Sequence, residues 1–243
     1  MKTILFGAEA AELAPLVQRA PELELVSDSA DVVICYGGDG TLLLAEARWP
    51  GVPKVPIRNS RRGNRCIPHP ADQVIARLVA GQLARVEFIK LEGRVRRQGS
   101  DLLAPTVAMN EFNVHMGHIN AAVRFSLMLD AEPYLGGHEI IGDGVIVCTP
   151  FGSTAYYNQL TRGIFHAGLG IAFKSTPDHT SHLVVDERTS ISVRITRGPA
   201  VLAYDNATTY VTLEEDDELL IQRHAAPAIL LAWGPVRHPS DAF

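Results

Sequence analysis

The 243-residue chain has little cysteine, no long apolar run and no excess of basic residues. Its three cysteines are odd in number and lie far apart, at positions 35, 66 and 148, which argues against a disulfide framework. No apolar stretch is long enough to cross a bilayer, and the first residues do not resemble a signal peptide. A net charge of −5 gives no general reason to expect binding to nucleic acid or to an anionic membrane. We therefore expect a soluble, cytoplasmic globular protein that binds neither.

The first 92 residues alternate short apolar runs with helix-like segments. The apolar runs predict buried strands at 3–6, 23–26 and 32–36. Helical periodicity is clearest at 71–83, and a second helix is predicted at 9–19, where Pro15 should distort it or displace its start. This alternation predicts a Rossmann-like α/β domain over 1–92, with helices packed on a parallel sheet.

Residues 93–222 follow a different pattern, because their apolar residues mostly recur with period two. Segments such as VRFSLML and SISVRIT are punctuated by turn residues, which is typical of antiparallel β structure. We therefore predict a second, mainly antiparallel β domain over 93–222, built in layers. The apolar segment at 228–233 could add one more strand to either domain.

The motif GGDGT follows the apolar run that ends at Tyr36. Its glycines are expected to allow positive φ angles and close approach of the backbone to a ligand. Thr41 is expected to begin a helix, whose free N–H groups suit phosphate. Asp39 at this place suits a base or a metal ligand in phosphoryl transfer. A simpler interpretation is that Asp39 only caps the helix.

A second GDG triplet opens the segment GDGVIVCTPFGSTAYYNQL. Its two glycines permit a tight turn around Asp143, and VIVC predicts a strand. Ser153 and Thr154 are predicted to cap the following helical segment. Tyr156 and Tyr157 could pack on a planar base. The alternative interpretation is an ordinary strand–turn–helix with no ligand.

An amide and a carboxylate stand side by side at Asn110 and Glu111, within the strand pattern VAMNEFNV. Burying these groups without partners would be costly, so the pair predicts a ligand or a specific polar contact. Together with the two GDG motifs, it carries a family resemblance. The sequence resembles the NAD kinases, which phosphorylate the 2′-hydroxyl on the adenosine ribose of NAD. GGDGT, the Asn-Glu pair and GDGVIVCTPFGSTAY match the signature blocks of that family in order and spacing.

The resemblance implies an active site between an α/β domain and a β domain, and a C-terminal tail at 223–243 that returns to the first domain. It implies that Asp39 is the catalytic carboxylate, which draws the proton from the ribose hydroxyl. Both GDG carboxylates would then face one ligand. The implied phosphate-facing loop consists of Gly37, Gly38, Gly40 and Thr41. The implied NAD-binding residues are Asn110 and Glu111 at sugar hydroxyls or base edges, Asp143 at the nicotinamide end, and Ser153, Thr154, Ala155 and Tyr156 along the adenine pocket.

The resemblance also implies the partners of the reaction. ATP, or polyphosphate, would donate the phosphate, NAD would accept it, and Mg²⁺ would be bound mainly by the donor phosphates. The family forms dimers or tetramers, so a homodimer or homotetramer is implied. We predict no metal site built from the protein, because His115 and His118 would point to opposite faces of an extended segment.

The stretch VPIRNSRRGNRCIPHP at 55–70 departs from the family pattern. The family usually carries GIN-x-G-x-LGFL there, and residues 63–66 replace its apolar LGFL part. Three arginines, Arg61, Arg62 and Arg65, occupy this neighbourhood. They could contact phosphates of the donor or acceptor, or they could form a solvated basic loop.

A second departure lies at Asp205-Asn206, where the family commonly has Asp-Gly. Because asparagine tolerates left-handed backbone geometry, we expect the turn to be preserved. The altered 58–66 loop leaves one alternative function open, a kinase of the same fold that acts on another sugar or nucleoside alcohol. A non-catalytic nucleotide sensor that keeps the fold is the other.

Overall fold

The computed structural model describes residues 1–61, 63–177 and 181–234. Contacts within this part of the chain divide it into two units. The first unit comprises Met1–Phe88 and the segment from Ala226 onward, and the second unit comprises Ile89–Ala225. Among the described residues, no helix is long and apolar enough to cross a membrane.

The first unit contains one six-stranded sheet. Its strands are β1 (Lys2–Phe6), β2 (Glu24–Leu25), β3 (Val32–Gly37), β4 (Lys54–Arg58), β5 (Ala84–Phe88) and, from the C-terminal segment, β20 (Ala228–Ala232). The order across the sheet is β2–β1–β3–β4–β20–β5. Every pairing is parallel except that of β20 with β5. The expected parallel α/β sheet is therefore confirmed, and the apolar segment of the tail joins it.

Three α-helices accompany this sheet: α1 (Ala14–Gln18), α2 (Asp39–Arg48) and α3 (Ala71–Val79). A 3₁₀ turn at Ala10–Leu13 precedes α1, and Pro15 lies in the first turn of α1. Proline is tolerated there because the first N–H groups of a helix have no partner within it. Pro15 thus displaces the start of the helix, as predicted. Helix α3 buries Val74, Ile75 and Leu78 in the core of the first unit.

The second unit contains two sheets in which every pairing is antiparallel. One consists of β6 (Leu91–Arg97), β7 (Ser100–Asp101), β8 (Thr106–Ala108), β10 (Val123–Leu129), β11 (Glu132–Pro133), β12 (Ile140–Gly142), β16 (Ile191–Arg197) and β19 (Glu218–Arg223). The other consists of β9 (Glu111–Met116), β13 (Gly144–Cys148), β14 (Leu169–Lys174), β15 (His182–Val185), β17 (Ala200–Tyr204) and β18 (Val211–Leu213). The antiparallel β region predicted from period-two spacing is confirmed.

The two sheets of the second unit share one hydrophobic core. Phe112 and Val114 of β9 pack in it with Leu91 and Val95 of β6. Met116 packs against the same core, and because side chains alternate along a strand, Glu111, Asn113 and His115 face away from it. That outer face also carries α4 (Tyr156–Thr161), which follows a 3₁₀ turn at Gly152–Thr154. The outer face of β9 therefore positions Glu111 and its neighbours outside the sandwich.

Candidate active site

Asp39 begins helix α2 but does not cap it. Gly38 occupies the N-cap position, and no side chain caps the helix there. The Asp39 carboxylate instead accepts hydrogen bonds from two backbone N–H groups, from Asn64 to Oδ2 (3.1 Å) and from Arg65 to Oδ1 (2.9 Å). The capping interpretation is therefore wrong, and the helix begins two residues before Thr41. Asp39 is half-buried, and its oxygens keep further lone pairs for a ligand.

The glycines of the GGDGT motif provide space rather than positive φ angles. None of Gly37, Gly38 and Gly40 has a positive φ, so that part of the prediction is wrong. A Cβ atom on Gly37 would lie 2.3 Å from Oγ1 of Thr41, and one on Gly38 would lie 2.9 Å from Oγ of Ser60. The missing side chains therefore let the 58–66 loop and the first turn of α2 pack closely on the end of β3.

Arg61 and Arg65, two of the three arginines near the 58–66 loop, differ in environment. Arg61 is exposed, which fits a solvated loop. Arg65 is only 8% exposed, and burial lowers the pKa of its guanidinium while the charge of Asp39 acts in the opposite direction. Arg62 lies outside the described residues. Arg65 therefore does not behave as a surface arginine, whereas Arg61 does.

A cysteine completes the surroundings of Asp39. The Sγ atom of Cys66 lies 3.5 Å from Oδ1 of Asp39. Burial and the neighbouring carboxylate raise the pKa of this thiol far above its usual range, so it stays protonated and can donate to Asp39. All three cysteines are buried and free.

In the second unit, Asp205 anchors the Asn110-Glu111 pair. Its Oδ2 accepts from the N–H of Met109 (2.7 Å), and its Oδ1 accepts from the N–H groups of Asn110 (2.7 Å) and Glu111 (3.3 Å). The turn at 205–206 is preserved, but Asp205 adopts the left-handed conformation (φ +43°) that was expected of Asn206. Sequence reasoning missed this anchor, although the departure at Asp205-Asn206 drew attention to the turn.

Glu111 projects from the outer face of β9 in an enclosed position. Its Oε2 atom is buried and has no hydrogen-bond partner among the residues that the structure describes. Burial, and secondarily the negative charge of Asp205, raise the pKa of Glu111 to about 8. An enclosed polar atom without a partner is costly, so this position has capacity for a ligand.

Asp143 lies at the crossover from β12 to β13, next to a buried lysine. Its Oδ2 accepts a hydrogen bond from the hydroxyl of Ser175 (2.5 Å). Lys174 donates to Oδ1 of Asn113 (2.5 Å), and its Nζ lies 5.8 Å from the ring centroid of Tyr156. Burial lowers the pKa of Lys174 to about 8, although the charge of Asp143 opposes this shift. Asp143 and Tyr156 therefore both lie near the side chain of Lys174.

Sequence reasoning did not single out Lys174 or Asn113. Alternation along β9 offered a signal for Asn113, because it lies two residues after Glu111 and therefore shares its face. Lys174 gave no comparable signal, since it ends an otherwise apolar strand.

The TPFGSTAY block is tied to the Asn110 segment. The hydroxyl of Thr149 donates a hydrogen bond to the carbonyl oxygen of Met109 (2.6 Å). The backbone N–H of Thr149 donates to the carbonyl oxygen of Asn110 (2.9 Å). A Cβ atom on Gly152 would lie 2.3 Å from the same Asn110 oxygen, so only glycine fits there. The structure therefore brings this block and the Asn-Glu pair together.

The hydroxyls of the block do not cap α4. Ala155 is the N-cap residue, without a capping side chain. Ser153 donates to the carbonyl oxygens of Pro150 (2.8 Å) and Phe165, and Thr154 donates to a carbonyl in its own turn. The capping prediction is therefore wrong for both residues. Of the two tyrosines, Tyr157 is buried in the fold, whereas half-buried Tyr156 is available for a ligand.

The described residues contain no group of three or more His, Cys, Asp or Glu that could hold a metal ion. His115 lies on β9 and His118 lies beyond its end, in an isolated bridge with Ala121.

No protein-family model matches the sequence. The NAD kinase of Marinobacter nauticus is 32% identical over 234 residues, which cover 90% of this chain and 74% of that protein. The chain belongs to the NAD kinase family. The NAD kinase of Nitrosomonas europaea is 27% identical over 224 residues, which cover 89% of this chain and 74% of that protein.

A solved NAD kinase structure shows the same fold. The crystal structure of an NAD kinase from Archaeoglobus fulgidus in complex with ATP matches with a TM-score of 0.78 and 19% identity. The match covers 97% of this chain and 94% of that chain. The NAD kinase fold predicted for the sequence, with an α/β part followed by antiparallel sheets, is therefore confirmed.

Proposed function

We propose that the chain transfers the terminal phosphate of ATP, or of polyphosphate, to the adenosine ribose 2′-hydroxyl of NAD and so produces NADP. Membership of the NAD kinase family supports the reaction. The observation that carries the proposal is the carboxylate of Asp39, which is fixed by two backbone N–H groups of residues 64 and 65 and does not cap its own helix. A sugar hydroxyl is a poor nucleophile, so a fixed acceptor for its proton is what this reaction needs.

In this proposal Asp39 accepts the proton of the ribose hydroxyl. The phosphate chain of the donor lies along Gly37, Gly38, Gly40 and Thr41, where the first N–H groups of α2 favour negative charge. The loop arginines Arg61, Arg62 and Arg65 are proposed to contact phosphates, and a solvated loop is the alternative.

Mg²⁺ fits this arrangement as an ion bound mainly by the donor phosphates. Mg²⁺ usually keeps few protein ligands beside substrate phosphates, so the donor phosphates would supply most of its coordination here. When bound, the ion would neutralise charge on the transferring phosphoryl group.

The proposed NAD-binding residues all belong to the second unit. Asn110 and Glu111 bind sugar hydroxyls or base edges, and Asp143 binds the nicotinamide end. Ser153, Thr154, Ala155 and Tyr156 line the adenine pocket. The links from Thr149 to Met109 and Asn110 support a shared role for these segments.

We also propose that the chain acts in the cytoplasm as a homodimer or homotetramer, and that domains 1–92 and 93–222 supply the catalytic and the NAD-binding residues. These proposals rest on the family resemblance. The tail at 223–243 is proposed to belong to the first domain, which the position of β20 supports.

One observation favours a second candidate function. The segment that replaces the apolar LGFL part bonds directly to Asp39 through the N–H groups of Asn64 and Arg65. A change so near the candidate base could redirect the site to another sugar or nucleoside alcohol. A sensor without activity is less consistent with a fixed Asp39 carboxylate.

The test is NADP formation by the purified chain with NAD, ATP and Mg²⁺, beside an Asp39→Asn variant. The proposal predicts NADP from the wild type and its loss in the variant. No NADP from a folded, ATP-binding protein would contradict the choice of NAD, and a screen of other alcohols would then separate the alternative kinase from a sensor.

A further inference from the structure

The carboxylate of Asp205 lies against the backbone of Glu111 at one end of strand β9, with Oδ1 3.3 Å from the Glu111 nitrogen. Asp205 follows strand β17, which pairs with β9, and its backbone N–H donates to the carbonyl oxygen of Glu111 (3.3 Å). The negative charge of Asp205 acts on the Glu111 carboxyl, which is itself enclosed. Because a second negative charge near an enclosed carboxyl is unfavourable, one of the two carboxyls should keep a proton at neutral pH.

Hydrogen bonds decide which carboxyl is ionised. Asp205 accepts from three backbone N–H groups, and N–H donors stabilise the charged form of a carboxylate. The Oε2 atom of Glu111 has no donor among the described residues. The charge therefore resides on Asp205, and the proton resides on Glu111.

Other titratable groups around Glu111 do not reverse this assignment. Cys148 of β13 stands opposite Glu111, and burial keeps the pKa of its thiol high and the group neutral. From α4, Tyr157 has a pKa raised to about 12. His115 and Lys174 lie on the same sheet face, but His115 is four residues along β9, which corresponds to roughly 13 Å. Among the described residues, no cation forms an ion pair with Glu111.

We propose that Glu111 binds its ligand as a neutral carboxylic acid that donates a hydrogen bond, while Asp205 stays ionised. The ligand is the NAD of the proposed function, on which this inference rests. The contacted atom is then a hydrogen-bond acceptor, a ribose oxygen or a ring nitrogen, rather than a donor. A neutral Glu111 also avoids placing a second negative charge beside an anionic dinucleotide.

The protonation state can be measured without any ligand. In the uniformly ¹³C-labelled full chain, the side-chain carboxyl resonance of Glu111 is the one lost in Glu111→Gln. Its titration midpoint is expected at about 8. The exposed Glu132→Gln variant should leave that resonance in place. A midpoint below about 6 would overturn the proposal, since the carboxyl would then be charged under the conditions of the reaction.

The donor role is tested by NAD binding between pH 6.5 and 9.5, measured by calorimetry on the wild type and on Glu111→Gln. Glutamine also donates a hydrogen bond but does not titrate. The ratio of the two Kd values, wild type over variant, is expected to rise by roughly 30-fold across this range, because each pH unit above the pKa weakens binding tenfold. Lys174 has a pKa of about 8 as well, and the ratio cancels its contribution.

A constant Kd ratio across the pH range would overturn the donor role, even with a high midpoint. If neither protein binds NAD at any pH, the assignment of NAD as the ligand fails together with the proposed function, whereas a midpoint near 8 would still support the ionisation states. Asp205→Asn should also lower the Glu111 midpoint, because it removes the neighbouring charge and loosens the segment that encloses Glu111.

Discussion

Asp39 in the first unit and Asp205 in the second both accept hydrogen bonds from backbone N–H groups of a distant segment. The two contacts differ in which partner is held in place. In the first unit, the 64–65 backbone fixes the carboxylate that is proposed to carry chemistry. In the second, the Asp205 carboxylate fixes the backbone at 109–111, which carries the proposed binding residues. The same kind of hydrogen bond therefore fixes the proposed catalytic group in one unit and the proposed binding segment in the other.

Glu111 carries a third carboxyl group, whose environment differs from those of Asp39 and Asp205. It lies beside Asp205 yet lacks N–H donors at Oε2 among the described residues, so it takes the proton that Asp205 does not. The comparison teaches that donors from the backbone, rather than position in a motif, decide which carboxyl is charged.

The largest effect is expected from removing the charge of Asp39. Asp39→Asn keeps the shape of the side chain, yet a general base contributes typically about 10²–10⁴-fold to the rate, so NADP formation should fall by that factor. The turnover number measured with saturating NAD and ATP checks this. A fall of less than tenfold would contradict the role of base.

Next in size is the effect of a side chain at Gly144, beside Asp143. This glycine has φ +136°, and a Cβ atom would lie 2.0 Å from the carbonyl oxygen of Val114. Gly144→Ala should lower the free energy of unfolding by about 3 kcal/mol or more, through backbone strain and overpacking.

Gly99→Ala is the matched control, because Gly99 has φ +80° but no atom within 4 Å of the added Cβ. Gly99→Ala should lower the free energy of unfolding by only about 1 kcal/mol. Equal losses in urea unfolding would show that crowding at Val114 does not matter.

Asp205→Asn should have a moderate effect on stability. The variant loses a charged acceptor for three backbone N–H groups, and a hydrogen bond to a charged group is worth about 1.5–3 kcal/mol. We expect a loss of about 2 kcal/mol in urea unfolding. Asp101→Asn serves as control, because its ion pairs are exposed and should contribute less than about 1 kcal/mol. A loss no larger than in the control would mean that Asp205 does not anchor the segment.

Glu111→Gln should change the dependence of stability on pH. The pKa of Glu111 is raised from 4.5 to about 8 in the folded chain. The protonated carboxyl therefore contributes to the stability of the fold fully below pH 4.5, and this contribution is lost as the pH rises through 8. The variant should match the wild type at pH 4 and exceed it at pH 9, by at least about 1 kcal/mol. Parallel stability curves over this range would contradict a raised pKa.

The smallest effect is expected at Arg61, which is exposed. If it contacts a phosphate, Arg61→Ala should raise the KM for ATP by about two- to fivefold at low salt and less at high salt. Arg85→Ala, which removes another exposed charge of the first unit, should not change the KM. Equal KM values for both variants would favour a solvated loop.

The sequence predicted the elements of the fold well, because they depend on local patterns. Period two, strand–helix alternation and the position of Pro15 lie within short windows and match the structure. Alternation along β9 also contained the information that Asn113 shares a face with Glu111.

The contacts that set charge and orientation could not be predicted. Asp205 reaches Met109 across 96 residues, and the donors on both aspartates are backbone N–H groups, which have no sequence signature. The structural reason for a glycine could not be predicted from the sequence either. It indicates a missing Cβ, but only the structure distinguishes space, as at Gly37, from a positive φ, as at Gly144.

The most direct test of the account measures the Kd for NAD and the turnover number side by side in Asp39→Asn and Asp205→Asn. We predict that Asp39→Asn loses turnover and keeps NAD affinity, whereas Asp205→Asn loses NAD affinity because the segment at 109–111 is released. Loss of NAD affinity in Asp39→Asn with unchanged affinity in Asp205→Asn would contradict the division between a catalytic and a binding carboxylate.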